Sequence, residues 1–254
     1  MFGRKKKYAF GCPKCGSALA GGECTECTYF DPATSRVYSK RQLSKAGSEV
    51  ELGVLVDRTG SGMAFSRGVT TSSKIILETV DREVRGTRVW VQTHGDEDYG
   101  ERPKLIARPG LARKATAAIR KIKYDGGGDG PETHLSAIEE ALGQFTSASM
   151  LSSKAMLVFI NDETKPARSG LSAREIGCAV REMGILLYLI FEPTHEFKSF
   201  CNAADGMLLE ITNEPSEELM QSIGKRIAGS VVHSVRAGSL KPLDASSIIP
   251  PIVE

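Results

Sequence analysis

The sequence predicts an α/β protein in which a small N-terminal zinc ribbon precedes a doubly wound, mostly parallel sheet. From about residue 48 onward, short apolar runs alternate with amphipathic segments. Two of the runs, Ala155–Ile160 and Ile185–Phe191, are continuously apolar, which is typical of strands covered on both faces of a sheet. Four cysteines lie within 16 residues near the start of the chain, which indicates a separate metal-bound unit.

The remaining elements follow from the same periodicity. We expect strands at Glu51–Val56, Thr87–Thr93, Ala155–Ile160, Ile185–Phe191 and Met207–Ile211. We expect helices at Val69–Val84, Leu111–Ile122, Thr133–Phe145, Ser172–Met183 and Glu217–Ile227. The inner strands of the sheet should contain Val54–Val56, Val89–Val91, Leu157–Ile160 and Leu186–Ile190, with helices on both faces.

Charge divides the 254 residues unevenly. Residues 1–45 hold nine Lys and Arg against three Asp and Glu, whereas the whole chain carries a net charge of only +2. We therefore predict a basic N-terminus and ribbon over residues 1–47, an α/β domain over 48–235 and a Pro/Ser-rich tail over 236–254. No apolar run reaches the ~18 residues of a membrane span, and the basic start lacks the apolar segment of a signal peptide. We expect a cytoplasmic protein without a membrane partner.

The cysteine spacing predicts a structural zinc site. It reads C-x2-C, eight residues, then C-x2-C, so that two tight turns aim their sulfurs at one ion. Zinc favours thiolates in a closed tetrahedron, which leaves no open position for catalysis. Two disulfides of a secreted mini-domain are the alternative, and the missing export signal argues against them. The predicted ligands are Cys12, Cys15, Cys24 and Cys27.

A second kind of site is predicted where the first apolar strand ends. Asp57, Thr59 and Ser61 alternate in the sequence VLVDRTGSG, so that their side chains can converge on one point. One carboxylate and two hydroxyls are hard oxygen ligands, which suit Mg²⁺ or Mn²⁺. An ordinary polar turn is the alternative for this segment alone.

Two further segments place oxygen ligands at the same edge of the sheet. The sequence GGGDGPETHLSAIEEAL leads from a glycine-rich loop into a helix, with Thr133 near the helix start. Asp162 directly follows the apolar run in AMLVFINDETKP. Taken singly, Thr133 could be an N-cap and Asp162 a turn residue. Ligands bind beyond the carboxyl ends of parallel strands, so the three segments together favour one shared site.

These motifs, in this order, resemble the metal-ion-dependent adhesion site of von Willebrand factor A domains over residues 48–230. D-x-T-x-S is similar to the family's D-x-S-x-S, and REMGILLYLIF followed by AADGMLLEI resembles its closing strand, helix and strand. The resemblance implies that Thr59, Ser61 and Thr133 bind the metal directly or through water. It implies that Asp57 and Asp162 act mainly through water. Asp129 and Glu132 are alternatives to Thr133.

The chemistry of such a centre points to binding rather than catalysis. With few carboxylates on the ion, an open position can accept an Asp or Glu from a partner protein. None of the four histidines lies in a nucleophile signature, and we expect structural roles for them. Near the site, Asp96, Glu97 and Asp98 are interpreted as a solvated loop. We predict a non-enzymatic, cation-dependent adaptor or regulator; the resemblance implies a bacterial stress or defence system.

Two other functions are weighed against this one. The ribbon and the basic run Arg4-Lys5-Lys6-Lys7 could bind RNA, with the α/β domain as scaffold. Alternatively, Asp57 could be the nucleophile of a phosphotransferase resembling haloacid dehalogenases. Those enzymes carry D-x-D, in which the second carboxylate is a general acid, and here Thr59 occupies that position.

Overall fold

The structure is a computed structural model that describes residues 49–128, 130–145, 152–191, 194–212 and 214–243, together with the backbone of 19–20 and 23–24. The two short N-terminal segments are strands β1 (Leu19–Ala20) and β2 (Glu23–Cys24), which pair antiparallel. Apart from the backbone of Cys24, the predicted zinc ligands lie outside the described residues. The zinc ribbon stays a prediction.

The domain is built on a six-stranded sheet in the order β5-β4-β3-β6-β7-β8. All neighbouring strands pair in parallel except β4 and β5, which are antiparallel. The four strands predicted to be inner are the inner ones, so the predicted parallel sheet is confirmed. Its strands are β3 (Val50–Asp57), β4 (Arg88–His94), β5 (Lys104–Gly110), β6 (Ser153–Phe159), β7 (Ile185–Phe191) and β8 (Met207–Glu210).

Helices cover the sheet on both faces, as predicted, and six of them lie within the described ranges. Helices α1, α2 and α6 pack on one face, and α3, α4 and α5 pack on the other. Their bounds are α1 (Ser66–Glu83), α2 (Ala112–Ile119), α3 (His134–Leu142), α4 (Ala173–Glu182), α5 (His195–Ala203) and α6 (Glu217–Ala237). No helix in the described ranges is long and apolar enough to cross a membrane.

Strand β5, helix α5 and the end of α6 differ from the sequence prediction. The apolar periodicity predicts no element for β5 or α5, although the family resemblance implies a helix between β7 and β8, where α5 lies. Helix α6 runs ten residues beyond its predicted end at Ile227, because Val231 and Val235 continue its buried face. It ends at Ala237 and is capped by Gly238, whose φ of 64° lies in the left-handed region that favours glycine. Beyond it, the amide of Leu243 donates a hydrogen bond to the Ser234 hydroxyl at 2.8 Å, so that residues 238–243 return to α6.

Close packing fixes the position of β3, the strand that leads into the loop containing Asp57, Thr59 and Ser61. Trp90 of β4 is fully buried, and a side chain at Gly53 of β3 would come within 2.3 Å of its ring. The indole also meets Phe145 edge to face, with ring centroids 5.1 Å apart. Only glycine at position 53 leaves room for the indole against β3. This close contact fixes the position of β3, and with it the start of the loop that follows the strand.

Helix α1 is held equally tightly. A short 3-10 turn, Gly60–Phe65, joins the first site loop to this helix. A side chain at Gly224 of α6 would lie 3.0 Å from the Ser72 backbone of α1, so the two helices touch closely. Phe65 is buried at 2% exposure and anchors the turn in the core. The loop between β3 and α1 is therefore fastened at both ends.

Candidate metal centre

The C-terminal edge of the sheet gathers the predicted site residues. Asp57 is the last residue of β3 and is fully buried. His94, the last residue of β4, lies beside it in parallel register. Asp162 follows the end of β6, the neighbouring strand on the other side. Because these parallel strands end at one edge, the loops that follow them meet where α/β sheets bind their ligands.

The loop after β3 holds a row of oxygens. The Asp57 carboxylate accepts hydrogen bonds from the Thr59 amide at 2.9 Å and from the Thr59 hydroxyl at 3.0 Å. The hydroxyl oxygens of Thr59 and Ser61 are 2.9 Å apart and share a hydrogen bond. The amide of Gly60 donates to the carbonyl of Gly126 at 2.7 Å and ties the row to the glycine-rich loop. The structure thus brings Asp57, Thr59 and Ser61 together.

Glu132 of the glycine-rich loop carries a buried carboxylate. The residue is only 3% exposed, and its Oε2 has no hydrogen-bond partner in the described part of the chain. Burial, followed by the charges of neighbouring carboxylates of which Asp57 is the largest contributor, raises the pKa of Glu132 to about 8. A carbon at the β position of Gly127 would lie 3.2 Å from both Glu132 Oε1 and Thr59 Cβ. Glu132 therefore lies next to the oxygen row.

Thr133 is engaged elsewhere. Its hydroxyl donates to the carbonyl of Gly95 at 2.6 Å and accepts a hydrogen bond from the Glu97 amide at 3.3 Å. In this arrangement Thr133 fastens the loop after β4, and its role as a metal ligand stays a prediction. Of the two alternatives, Asp129 lies outside the described residues, and Glu132 carries the carboxylate that borders the oxygen row.

Negative charge is concentrated at this edge. Burial raises the pKa of Asp57 to about 7, even though the hydrogen bonds from Thr59 lower it. The charges of Asp162 and Glu101 raise it further. The Asp162 carboxylate in turn accepts a hydrogen bond from the Glu163 amide at 2.8 Å. A buried carboxylate with like charges near it is a position that a cation would stabilise.

The loop after β4 is ion-paired. Asp96 is fully buried, and both of its carboxylate oxygens lie 2.9 Å from Lys165 Nζ. Asp98 binds the same ammonium at 2.6 Å, and Glu97 accepts a hydrogen bond from Arg168 Nε at 3.1 Å. The expectation of a solvated loop is therefore wrong for Asp96, because its basic partner lies 69 positions away and local spacing does not indicate it.

Two histidines lie under the site. His94 Nε2 and His134 Nδ1 are 2.8 Å apart, and both rings are fully buried. Burial lowers the pKa of His94 to about 3; burial and then the proximity of His94 lower the pKa of His134. The His134 ring also packs against Phe197, at a centroid distance of 5.9 Å. The two rings form a neutral pair in the core, a packing role of the kind predicted for them.

The donor set fits a hard divalent cation. Among the residues that the structure describes, no three His, Cys, Asp or Glu side chains are grouped to hold a metal by themselves. The predicted centre has a different chemistry, because two hydroxyls, Thr59 and Ser61, lie in one row. The carboxylate of Asp57 accepts a hydrogen bond from this row, and the charges of Asp162 and Asp57 act on Asp57 and Glu132, respectively, at the same edge. Hydroxyl and carboxylate oxygens are the ligands that Mg²⁺ and Mn²⁺ prefer.

Comparisons with known proteins bear on the fold. No protein-family model matches the chain, and no curated protein matches its sequence. Among solved structures, the VWA domain of SpRpn10 is 12% identical with a TM-score of 0.55, over 69% of this chain and 93% of that one. BatB from Bacteroides thetaiotaomicron is 16% identical with a TM-score of 0.53, over 75% of this chain and all of that one. A von Willebrand factor type A structure from Catenulispora acidiphila is 15% identical with a TM-score of 0.50, over 72% of this chain and 43% of that one.

At such low identities the likeness is one of architecture. It agrees with the mostly parallel sheet and the helices on both faces. The described domain has the fold of a von Willebrand factor A domain.

Proposed function

We propose that the domain is a non-enzymatic, cation-dependent module that binds a partner protein. A Mg²⁺ or Mn²⁺ ion held at the C-terminal edge of the sheet would join the domain to an Asp or Glu of the partner. The observation that carries the proposal is the fully buried Asp57 carboxylate at the head of the Thr59–Ser61 hydroxyl row. The hydrogen bonds from Thr59 offset only part of the cost of burying this carboxylate, because its pKa is still raised to about 7, and a cation would offset the rest.

The residues divide the work by their chemistry. Thr59 and Ser61 would contact the ion through their hydroxyls, while Asp57 and Asp162 would hold its water ligands. Glu132 supplies a further carboxylate oxygen that has no hydrogen-bond partner among the described residues. Neutral hydroxyls leave most of the ion's charge uncompensated, and this charge attracts an acidic side chain of a partner.

Exposure agrees with this division. Ser61 is exposed, whereas Asp57 and Thr59 are buried. A partner would therefore meet the row at Ser61, with the carboxylate behind it. The exposed Met63, 60% accessible, lies two residues further along the same turn and offers an apolar contact beside the ion.

The test compares partner capture in Mg²⁺ and in chelator. Tagged full-length protein is used as wild type, as Asp57→Asn and as Asp81→Asn, a matched control on the exposed face of α1. We expect specific partners to be retained by wild type and Asp81→Asn in Mg²⁺, and to be lost in chelator and by Asp57→Asn. Partners retained equally under all conditions would contradict the proposal.

A further inference from the structure

One edge of the domain is strongly basic. Between residues 102 and 123 the chain carries eight Lys and Arg and no Asp or Glu, and the structure exposes all eight. This segment contains β5, the last strand on one side of the sheet, and the helix α2 that follows it. We name these eight side chains the basic edge.

Charge is segregated across the domain. Outside the basic edge, residues 49–243 carry 16 basic and 26 acidic side chains. The opposite edge of the sheet ends in β8, and there residues 210–218 carry four exposed glutamates and no Lys or Arg. Eight successive charged residues of one sign, with no acid between them, give this edge a positive potential that favours an anionic partner.

The neighbouring acids do not neutralise this edge. Glu101 and Asp125 flank the segment in sequence, and both bind Arg58, at 2.9 and 3.2 Å. Glu101 also accepts a hydrogen bond from the amide of Gly127 at 2.7 Å. Within the described ranges, none of the eight cations takes part in an ion pair. Their charge is therefore available to an external anion.

The surface beneath the charges is well anchored. Ala112, Ala115 and Ile119 are buried, and they hold α2 against the sheet. Arg113 and Lys114 then lie on the exposed side of the helix, and the chain remains basic after its end. Folding thus presents these cations on a fixed surface, and little conformational order has to be created when an anion binds.

We propose that the basic edge binds nucleic acid through its phosphate backbone. This inference is independent of the proposed metal bridge, which lies at the C-terminal edge of the sheet. Dense Lys and Arg without acids match a polyphosphate, and four of the eight cations are Lys, a residue of which the centres of protein interfaces are depleted. A second copy of the chain is the main competitor, but the four glutamates of its opposite edge would balance only half of the eight cations.

Four substitutions test the surface. Arg113, Lys114, Arg120 and Lys121 are all changed to Gln in the full-length chain, which leaves the N-terminal basic arm intact. The matched control changes two Arg and two Lys elsewhere, all exposed, to Gln: Arg174, Arg181, Lys198 and Lys225. Both variants lose the same charge, so a difference between them reports on position. Circular dichroism verifies that each variant is folded.

The measurement is fluorescence anisotropy across a salt series in chelator. The probes are a single-stranded oligonucleotide of about 20 nucleotides, longer than the roughly 4–16 that one compact binding fold covers, and its duplex. Single strands lose affinity with a slope of about −0.7 per neutralised phosphate, so removing four phosphate-binding cations should flatten the slope by about 3. We expect the basic-edge variant to bind at least tenfold more weakly than the control at low salt. The two probes decide which strand form is preferred.

Three results would overturn the inference. The two variants could bind equally, in which case the N-terminal arm or general charge is responsible. Wild type could bind polyglutamate of equal charge as tightly as the oligonucleotide, which would indicate an acidic protein partner. Wild type could instead self-associate at low salt and lose this on Gln substitution of Glu217 and Glu218, which would assign the edge to a second copy.

Discussion

Replacing Asp57 by Asn should stabilise the metal-free protein, and more so as the pH rises. Burial raises the pKa of Asp57 from 3.8 to about 7, so between these values the folded state holds a proton that the unfolded state has released. The free energy of unfolding is therefore highest, as far as Asp57 contributes, below about pH 4, where the side chain is neutral in both states. This contribution is lost as the pH rises through 7. The shift of about three units corresponds to about 4 kcal/mol at 1.36 kcal/mol per unit.

Asparagine keeps the shape and the hydrogen bonds. Its side-chain oxygen can accept from the Thr59 amide, as Oδ1 of Asp57 does at 2.9 Å. Its amide group can donate to the Thr59 hydroxyl, which then donates to Ser61. The other titratable groups contribute equally to the pH dependence of both proteins. The difference in stability between wild type and Asp57→Asn therefore reports on the Asp57 carboxylate and on its effect on the pKa of Glu132.

The assay is urea unfolding in chelator at about pH 5 and about pH 8. The Asp57→Asn variant should be more stable than wild type, and the difference in their free energies of unfolding should be larger at pH 8 than at pH 5. Because pH 5 already lies above the unfolded pKa, this increase should be about 3 of the ~4 kcal/mol. Adding Mg²⁺ at pH 8 should stabilise wild type alone. A difference between the two proteins that does not change with pH would refute the argument that burial destabilises the charged form of Asp57.

Three further predictions concern the ligands. Ser61→Ala should weaken Mn²⁺ binding at least tenfold and change the free energy of unfolding by less than about 0.5 kcal/mol, because this exposed hydroxyl contributes little to packing; titration of Mn²⁺ and urea unfolding measure the two effects. Glu132→Gln should weaken Mn²⁺ binding more than Thr133→Val does if Glu132 is the ligand from the glycine-rich loop, and the reverse order of the two affinities would assign that role to Thr133. Cys12→Ser should abolish the one zinc per chain that metal analysis is expected to find in wild type prepared under reducing conditions; zinc at the wild-type level in the variant would contradict the four-thiolate site.

The sheet could be predicted because two of its inner strands contain uninterrupted apolar runs, Ala155–Ile160 and Ile185–Phe191. β7, Ile185–Phe191, is buried along its whole length, so composition alone indicates its place. β5 has no such signal: it is a half-exposed edge strand containing Pro109, and irregular pairing with β4 breaks its alternation. Apolar periodicity does not indicate α5, because a nine-residue helix with polar residues among its buried Phe197 and Phe200 has a weak period.

In the candidate site, too, contacts between residues close in sequence could be predicted, and contacts between distant residues could not. Asp57, Thr59 and Ser61 lie two residues apart, and their mutual hydrogen bonds follow from the chain itself. The partner of Thr133 is the carbonyl of Gly95, 38 residues away, which only the folded chain brings near. Sequence spacing can predict which oxygens share an edge of the sheet, but it cannot predict how each hydroxyl is turned.

Electron paramagnetic resonance measures Mn²⁺ binding at the candidate centre without requiring a partner protein. The full-length protein, its cysteines reduced and zinc-loaded, is titrated with Mn²⁺ as wild type, Asp57→Asn and Asp81→Asn. We expect one bound Mn²⁺ per wild-type chain, displaced by Mg²⁺, retained by Asp81→Asn and lost in Asp57→Asn. Wild-type protein that binds no Mn²⁺, or an Asp57→Asn variant that binds it with unchanged affinity, would contradict the claim that a cation is held in the loop after β3.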